Sequence, residues 1–157
     1  MTNVIIDSST YGNIIKDKES WEVVVNGIIN DPNFIVLNFK IIRDELRKAP
    51  SQALKIYDQI VSNKLIPDSK QISNLAEEYY KEYKNNKGGQ GKKNIINDFK
   101  IVACASIKNC NLLVSDDERT LKCSNAIKAY NFINLRHNFR TPTFYAYSDL
   151  KKLYLTK

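Results

Sequence analysis

The chain has 157 residues, 43% hydrophobic and 26% charged, and its 24 Lys and Arg outweigh 17 Asp and Glu to give a formal net charge of +7. That length suits one domain, spanning 1–157, with a real core, and the basic balance favours polyanionic partners. No apolar run approaches a membrane span, and "MTNVIIDSST" lacks the basic segment and long apolar stretch of a secretory signal, so a cytoplasmic protein with no membrane contact is expected.

"NVIID" has a short buried-strand pattern, and "SSTYGNIIK" behind it predicts a helix capped by Ser8 or Ser9. "SWEVVVNGIINDP" predicts a second helix that opens at Ser20 and stops at the Asn-Asp-Pro turn, residues 30–32. A strand follows over 33–38, "NFIVLN", and feeds the helix "FKIIRDELRKAP", which ends near Pro50. Residues 51–63 form an amphipathic helical pattern, "KLIPD" a connector or short edge strand, and 69–84 a further helix. "NNKGGQGKK", 85–93, predicts a flexible loop of glycines, lysines and amides. A buried helix over 94–110 leads into the strand "NLLVS", then a helix over 117–133, the extended "TPTFYAY" and a closing helix capped by Ser148.

Strands that alternate with helices indicate an α/β fold around a central, mostly parallel sheet. Its core would draw on Val4, Ile5, Ile6, Val36, Leu37, Ile101, Val102, Ala105, Leu112, Leu113 and Val114. Cys104, Cys110 and Cys123 form no C-x-x-C pair, which fits reduced, mostly buried thiols better than disulfides or a zinc site. The lone His137 lies in a polar stretch with no nucleophile turn nearby, so it reads as a surface histidine and leaves little room for Ser-His-Asp or Cys-His chemistry.

Ligands of such sheets bind at the carboxyl ends of the strands. Asp7 ends "VIID", and Asp116 with Asp117 ends "LLVSDD". From Asp98 to Asn109 a helix climbs about 16 Å. The strand from Asn111 to Asp116 returns over about the same distance. Asp98 therefore comes level with the aspartate pair. Carboxylates packed together repel one another, and hard cations such as Mg²⁺ or Mn²⁺ relieve that with oxygen ligands alone. Helix caps at strand ends are the competing explanation for each of these acids.

Four segments, "VIIDSSTYGNII", "VLNFKIIRDELRK", "NDFKIVACASIKNCNLLVSDDERTL" and "RTPTFYAY", together resemble the PIN-domain ribonucleases, especially the VapC-like toxins and their archaeal relatives. The resemblance implies a PIN-like fold and matches Asp7, Glu45, Asp98 and Asp117 to the family's four catalytic, metal-holding acids. The adjacent Asp116 competes with Asp117 for the last role; the match gives the metal to Asp117 and a cap or outer position to Asp116. Ser9 and Ser115 match small polar residues that support the site. Glu45 rests mainly on the resemblance. It further implies a Mg²⁺- or Mn²⁺-dependent endoribonuclease acting on single-stranded RNA, with an antitoxin partner and a homodimer.

Arg43, Arg47, Arg119 and Lys122 around the acids, and Lys87, Lys92 and Lys93 on the loop, are candidate RNA contacts, with Tyr11 a candidate stacking platform. A solitary RNA-processing or RNA-decay nuclease and a catalytically silent RNA- or protein-binding module are the alternatives. A Rossmann-type nucleotide binder would need a Gly-rich loop after the first strand, which is absent.

Overall fold

The computed structural model describes residues 1–155, with only the backbone described at Asn63. Five strands, β1 (Thr2–Ile6), β2 (Phe34–Phe39), β3 (Val61–Ile66), β4 (Leu112–Val114) and β5 (Thr143–Tyr145), form one sheet in the order β3-β2-β1-β4-β5. Every pairing is parallel, so each connection must cross over, and helices supply the crossovers. They are α1 (Ser8–Lys16), α2 (Trp21–Ile29), α3 (Lys40–Leu46), α4 (Ser51–Ile60), α5 (Lys70–Asn85), α6 (Lys92–Ile107), α7 (Ser124–His137) and α8 (Tyr147–Leu155). Helices α5, α6 and α7 pack together, α1, α2, α4 and α8 form a second group, and α3 touches both.

Parallel strands are covered on both faces and read as continuous apolar runs. Accordingly Val4, Ile5, Ile6, Leu113 and Val114 are fully buried, with Ile101, Val102 and Ala105 of α6 against them. Leu37 and Leu112 sit half-buried at the edge of this core. Cys104 and Cys110 are buried, and all three thiols are free. His137 lies at the surface against Glu78. Among the described residues, no helix is long and apolar enough to cross a membrane.

Several boundaries differ from expectation, four of them for a local reason. Helix α4 stops at Ile60 because the β-branched Val61 takes an extended conformation and pairs with Val36, so the edge strand starts earlier than "KLIPD". Helix α7 starts at Ser124 rather than 117, because the Asp117 side chain accepts the backbone N–H groups of Arg119 and Thr120 and holds a turn there. Helix α8 begins at Tyr147, and Asp149 rather than Ser148 caps it by accepting the Ala146 N–H. The Gly/Lys connection shortens to 86–91, which puts Lys92 and Lys93 on α6. It wraps over Tyr83, whose hydroxyl accepts the Gln90 N–H, and Gly88 presses so close that a Cβ there would sit 2.3 Å from the ring.

Helix α3 is aimed by a buried hydroxyl. Tyr57 of α4 accepts the N–H of Phe39, the α3 N-cap, at 2.9 Å and donates to the Asn38 side chain at 2.7 Å. Replacing it with phenylalanine strands both partners in the core, which costs about 1–3 kcal/mol. Urea denaturation of Tyr57→Phe is expected to show that loss of stability with an unchanged m-value.

Candidate functional site

β1 surfaces at Asp7, which caps α1 by accepting the Ser8 N–H at 2.8 Å through Oδ1. Its Oδ2 accepts the hydroxyls of Ser9 at 2.8 Å and Ser115 at 2.9 Å. The carboxylate is only 3% exposed, and burial lifts its pKa above the ordinary value although these three donors pull it down. β4 delivers Ser115 beside it because Ile6 pairs with Val114 and the Asp7 N–H donates to the Val114 carbonyl.

The remaining acids arrive on separate elements. Glu45 lies in the last turn of α3 and accepts the Ser8 hydroxyl at 3.2 Å. Its pKa rises from 4.5 to about 7, first through burial and then through the charge of Asp7. Asp98, in the second turn of α6, rises from 3.8 to about 7, again first through burial, with Asp7, Asp117 and Glu45 adding repulsion. Asp117 follows β4. The Thr120 hydroxyl lies 2.6 Å from Asp98 Oδ2 and 2.5 Å from Asp117 Oδ2, yet it has one proton and donates to one carboxylate at a time.

Asp7, Glu45, Asp98 and Asp117 line one cleft of about 280 Å³, together with Ser8 and Ser9. Among the described residues, none of these four carboxylates forms an ion pair, although the chain carries a net charge of +7. An all-oxygen, anionic set of this kind fits Mg²⁺ or Mn²⁺. As they stand, no three His, Cys, Asp or Glu side chains among the described residues are gathered tightly enough to hold an ion. Instead one hydroxyl spans each pair, Ser8 between Asp7 and Glu45 and Thr120 between Asp98 and Asp117. An ion would have to draw the two pairs together.

Asp116 stands outside the cleft lining, in the outer position, while Asp117 lines the cleft. Its two oxygens accept the Thr10 hydroxyl and the Tyr147 N–H, each at 3.0 Å, so it ties the β4 end to α1 and to the first residue of α8. Tyr11 is fully buried, which removes it as a stacking platform. Of the candidate RNA contacts, Arg43 is paired with Asp58, Lys92 with Glu77 and Lys122 with Glu118, while Arg47, Lys87, Lys93 and Arg119 are exposed. Ser8 and Thr120 were missed by the sequence reading. Thr120 carried one local signal, its position three residues after an aspartate, where Asp and Thr side chains build turns.

A larger hollow of about 500 Å³ lies at the opposite end of the strands, around Thr2, Phe34 and Thr143. Its polar groups are largely paired internally: Tyr154 with Asp31, Arg140 with the Asn109 carbonyl, and Asn111 with the Asn3 N–H.

No protein-family model matches the sequence, and no curated protein matches it. Solved structures do. A crystal structure of VapBC2 from Rickettsia felis, bound to a DNA fragment from their promoter, contains a chain 13% identical with a TM-score of 0.58; the match covers 92% of this chain and 98% of that one. VapBC-1 from nontypeable Haemophilus influenzae gives 14% identity and a TM-score of 0.59, covering 94% of this chain and 99% of that one. The likeness establishes the fold, a PIN-like arrangement of a mostly parallel central sheet flanked by helices.

Glu45 and Asp98 hold protons in the folded protein at pH values where the unfolded chain has lost them. Their contribution to stability is therefore complete below about pH 4 and disappears as pH rises through about 7. The metal-free protein is expected to melt at a lower temperature at about pH 8 than at about pH 5. In Asp98→Asn that dependence flattens, a comparison made by thermal melts in EDTA.

Proposed function

We propose that this chain is a divalent-metal-dependent endoribonuclease that hydrolyses phosphodiesters of single-stranded RNA, and that it is the toxin of a toxin–antitoxin pair. The observation that carries the reading is four carboxylates facing one cleft without a single ion pair among the described residues of a basic chain. Acids used only as helix caps need not converge, and acids used for stability would be paired with some of the 24 Lys and Arg. The toxin assignment is supported by the fold, since the two similar structures described above are VapBC structures.

Asp7, Glu45, Asp98 and Asp117 would hold Mg²⁺ or Mn²⁺. When bound, such an ion supplies a water of lowered pKa and offsets negative charge on the phosphate. The chain's own part is to fix the ligands. Ser9 and Ser115 lock the Asp7 carboxylate in one orientation, and Thr120 keeps Asp98 and Asp117 within reach of each other. The exposed Arg47 and the neighbouring Lys48, close enough to lower the proton affinity of Glu45, offset the repulsion an acidic cleft presents to a polyanion. An antitoxin segment would occupy the same cleft.

With Mg²⁺ or Mn²⁺ the protein is expected to cut a mixed single-stranded RNA pool. EDTA or Asp98→Asn is expected to reduce the rate by about two orders of magnitude or more, as for loss of a main electrostatic element of an active site. Well-folded protein that neither cuts RNA nor shows Mn²⁺ binding by calorimetry would overturn the enzyme and favour a binding module.

A further inference from the structure

Gly12 occupies the middle of α1, where glycine is a poorer helix former than every residue except proline. Two structural demands commonly place glycine in such a position, and neither applies. No glycine among the described residues has a positive φ. A Cβ built on Gly12 meets nothing within 4 Å, whereas one on Gly27 or Gly88 would strike the ring of Tyr154 or Tyr83. The fold would accept a side chain at residue 12, and the helix would be the better for it.

What Gly12 does face is the acidic cleft, whose lining is of two kinds. Alongside the carboxylates stand Ile15, Ala49 and Pro50, with the buried Leu46 and Ala53 beneath them. At about 280 Å³ the cleft lies just below the range of about 300–1,000 Å³ usual for small-molecule sites. It has room for one flat ring system and for nothing as bulky as a duplex. We propose that Gly12 marks a subsite in which a single unstacked nucleobase lies against the bare backbone of α1 and the aliphatic wall formed by Ile15, Ala49 and Pro50, beside the phosphate that the acids address. The inference rests on the nuclease reading for that phosphate. Only a strand whose bases can be splayed out could reach both parts of the cleft at once, which makes single-strandedness a property of the site itself.

The test compares the full-length wild type with Gly12→Ala and Gly12→Leu, using fluorescence anisotropy of a labelled single-stranded oligoribonucleotide and of the same strand carrying abasic residues, with Ca²⁺ present to limit cleavage. Both variants are expected to melt at or above the wild-type temperature and to bind Mn²⁺ as the wild type does. Gly12→Leu is expected to bind the intact strand about tenfold more weakly, the scale of one lost base contact. The wild type should lose a similar factor on the abasic strand, and Gly12→Leu should no longer distinguish the two strands. Equal wild-type affinity for intact and abasic strands overturns the subsite and leaves the aliphatic wall to an apolar side chain of a protein partner. Wild-type cleavage together with undiminished RNA binding by Gly12→Leu overturns the subsite and spares the nuclease. Base-dependent binding that Gly12→Leu abolishes, in a protein that neither cuts RNA nor binds Mn²⁺, supports the subsite and overturns the nuclease.

Discussion

The cleft depends on the parallel pairing of β1 with β4. Because Ile6 lies opposite Val114, the residues that follow both strands emerge side by side, and the Ser115 hydroxyl reaches the Asp7 carboxylate across the sheet. The reversal that precedes β4 is equally tight. Asn109 adopts a left-handed conformation, the Cys110 N–H returns to the Ala105 carbonyl, and α6 passes almost directly into the strand. Helix rise and strand return then match in length, so Asp98 on α6 is level with Asp117 after β4. One register and one turn thereby bring three acids together from positions 7, 98 and 117.

Glu45 is brought in by a different route, and that explains what could and could not be read from the residues alone. Asp7, Asp98 and Asp117 are placed by periodicity and by the lengths of elements that abut the central strands, so arithmetic along the chain locates them. Glu45 sits in the last turn of a short helix whose direction is set by the Tyr57 hydroxyl at Phe39 and Asn38, a contact between residues 18 and 19 positions apart. No local pattern encodes that aim, and only the family resemblance pointed to it. The parallel sheet and its buried runs were legible because parallel strands must be apolar throughout. The start of α7 was not, because the helical propensity of "DERTLKCSNAIK" is overridden by the Asp117 side chain, which satisfies two backbone N–H groups in a turn. That turn aims the Asp117 carboxylate at Thr120 and the cleft. The missed helix start and the placement of the last acid are thus one event.

The two neighbouring aspartates show how a single-residue step separates structure from chemistry. Asp116 is saturated by Thr10 and Tyr147 and fastens β4 to α1 and α8. Asp117, one residue on, faces the cleft with no cation paired to it among the described residues. Successive side chains leaving a strand point in opposite directions, and the chain uses one for architecture and the next for the site. Without the family resemblance, the sequence shows two equivalent charges at that place.

Departures from the local rules of stable folding are concentrated around this cleft. Asp7 is buried with neutral donors only. Glu45 and Asp98 are raised to about 7, first by burial and then by neighbouring carboxylates, Asp7 and Asp117 among them. The Thr120 hydroxyl is shared between two acceptors, and a glycine with no conformational duty interrupts α1. Elsewhere the apolar runs are covered, the charged helices carry their ion pairs at the surface, and the glycines pressed against aromatic rings have a steric reason to be there. A fold that tolerated such costs at random would scatter them. Their concentration in one hollow at the carboxyl ends of the strands, with the buried Glu82 Oε2 of α5, unpartnered among the described residues, lying apart from it, is the pattern expected where function opposes stability. The like charges that oppose folding are the same charges that would give a bound divalent ion its affinity, so both effects trace to the four acids this sheet brings together.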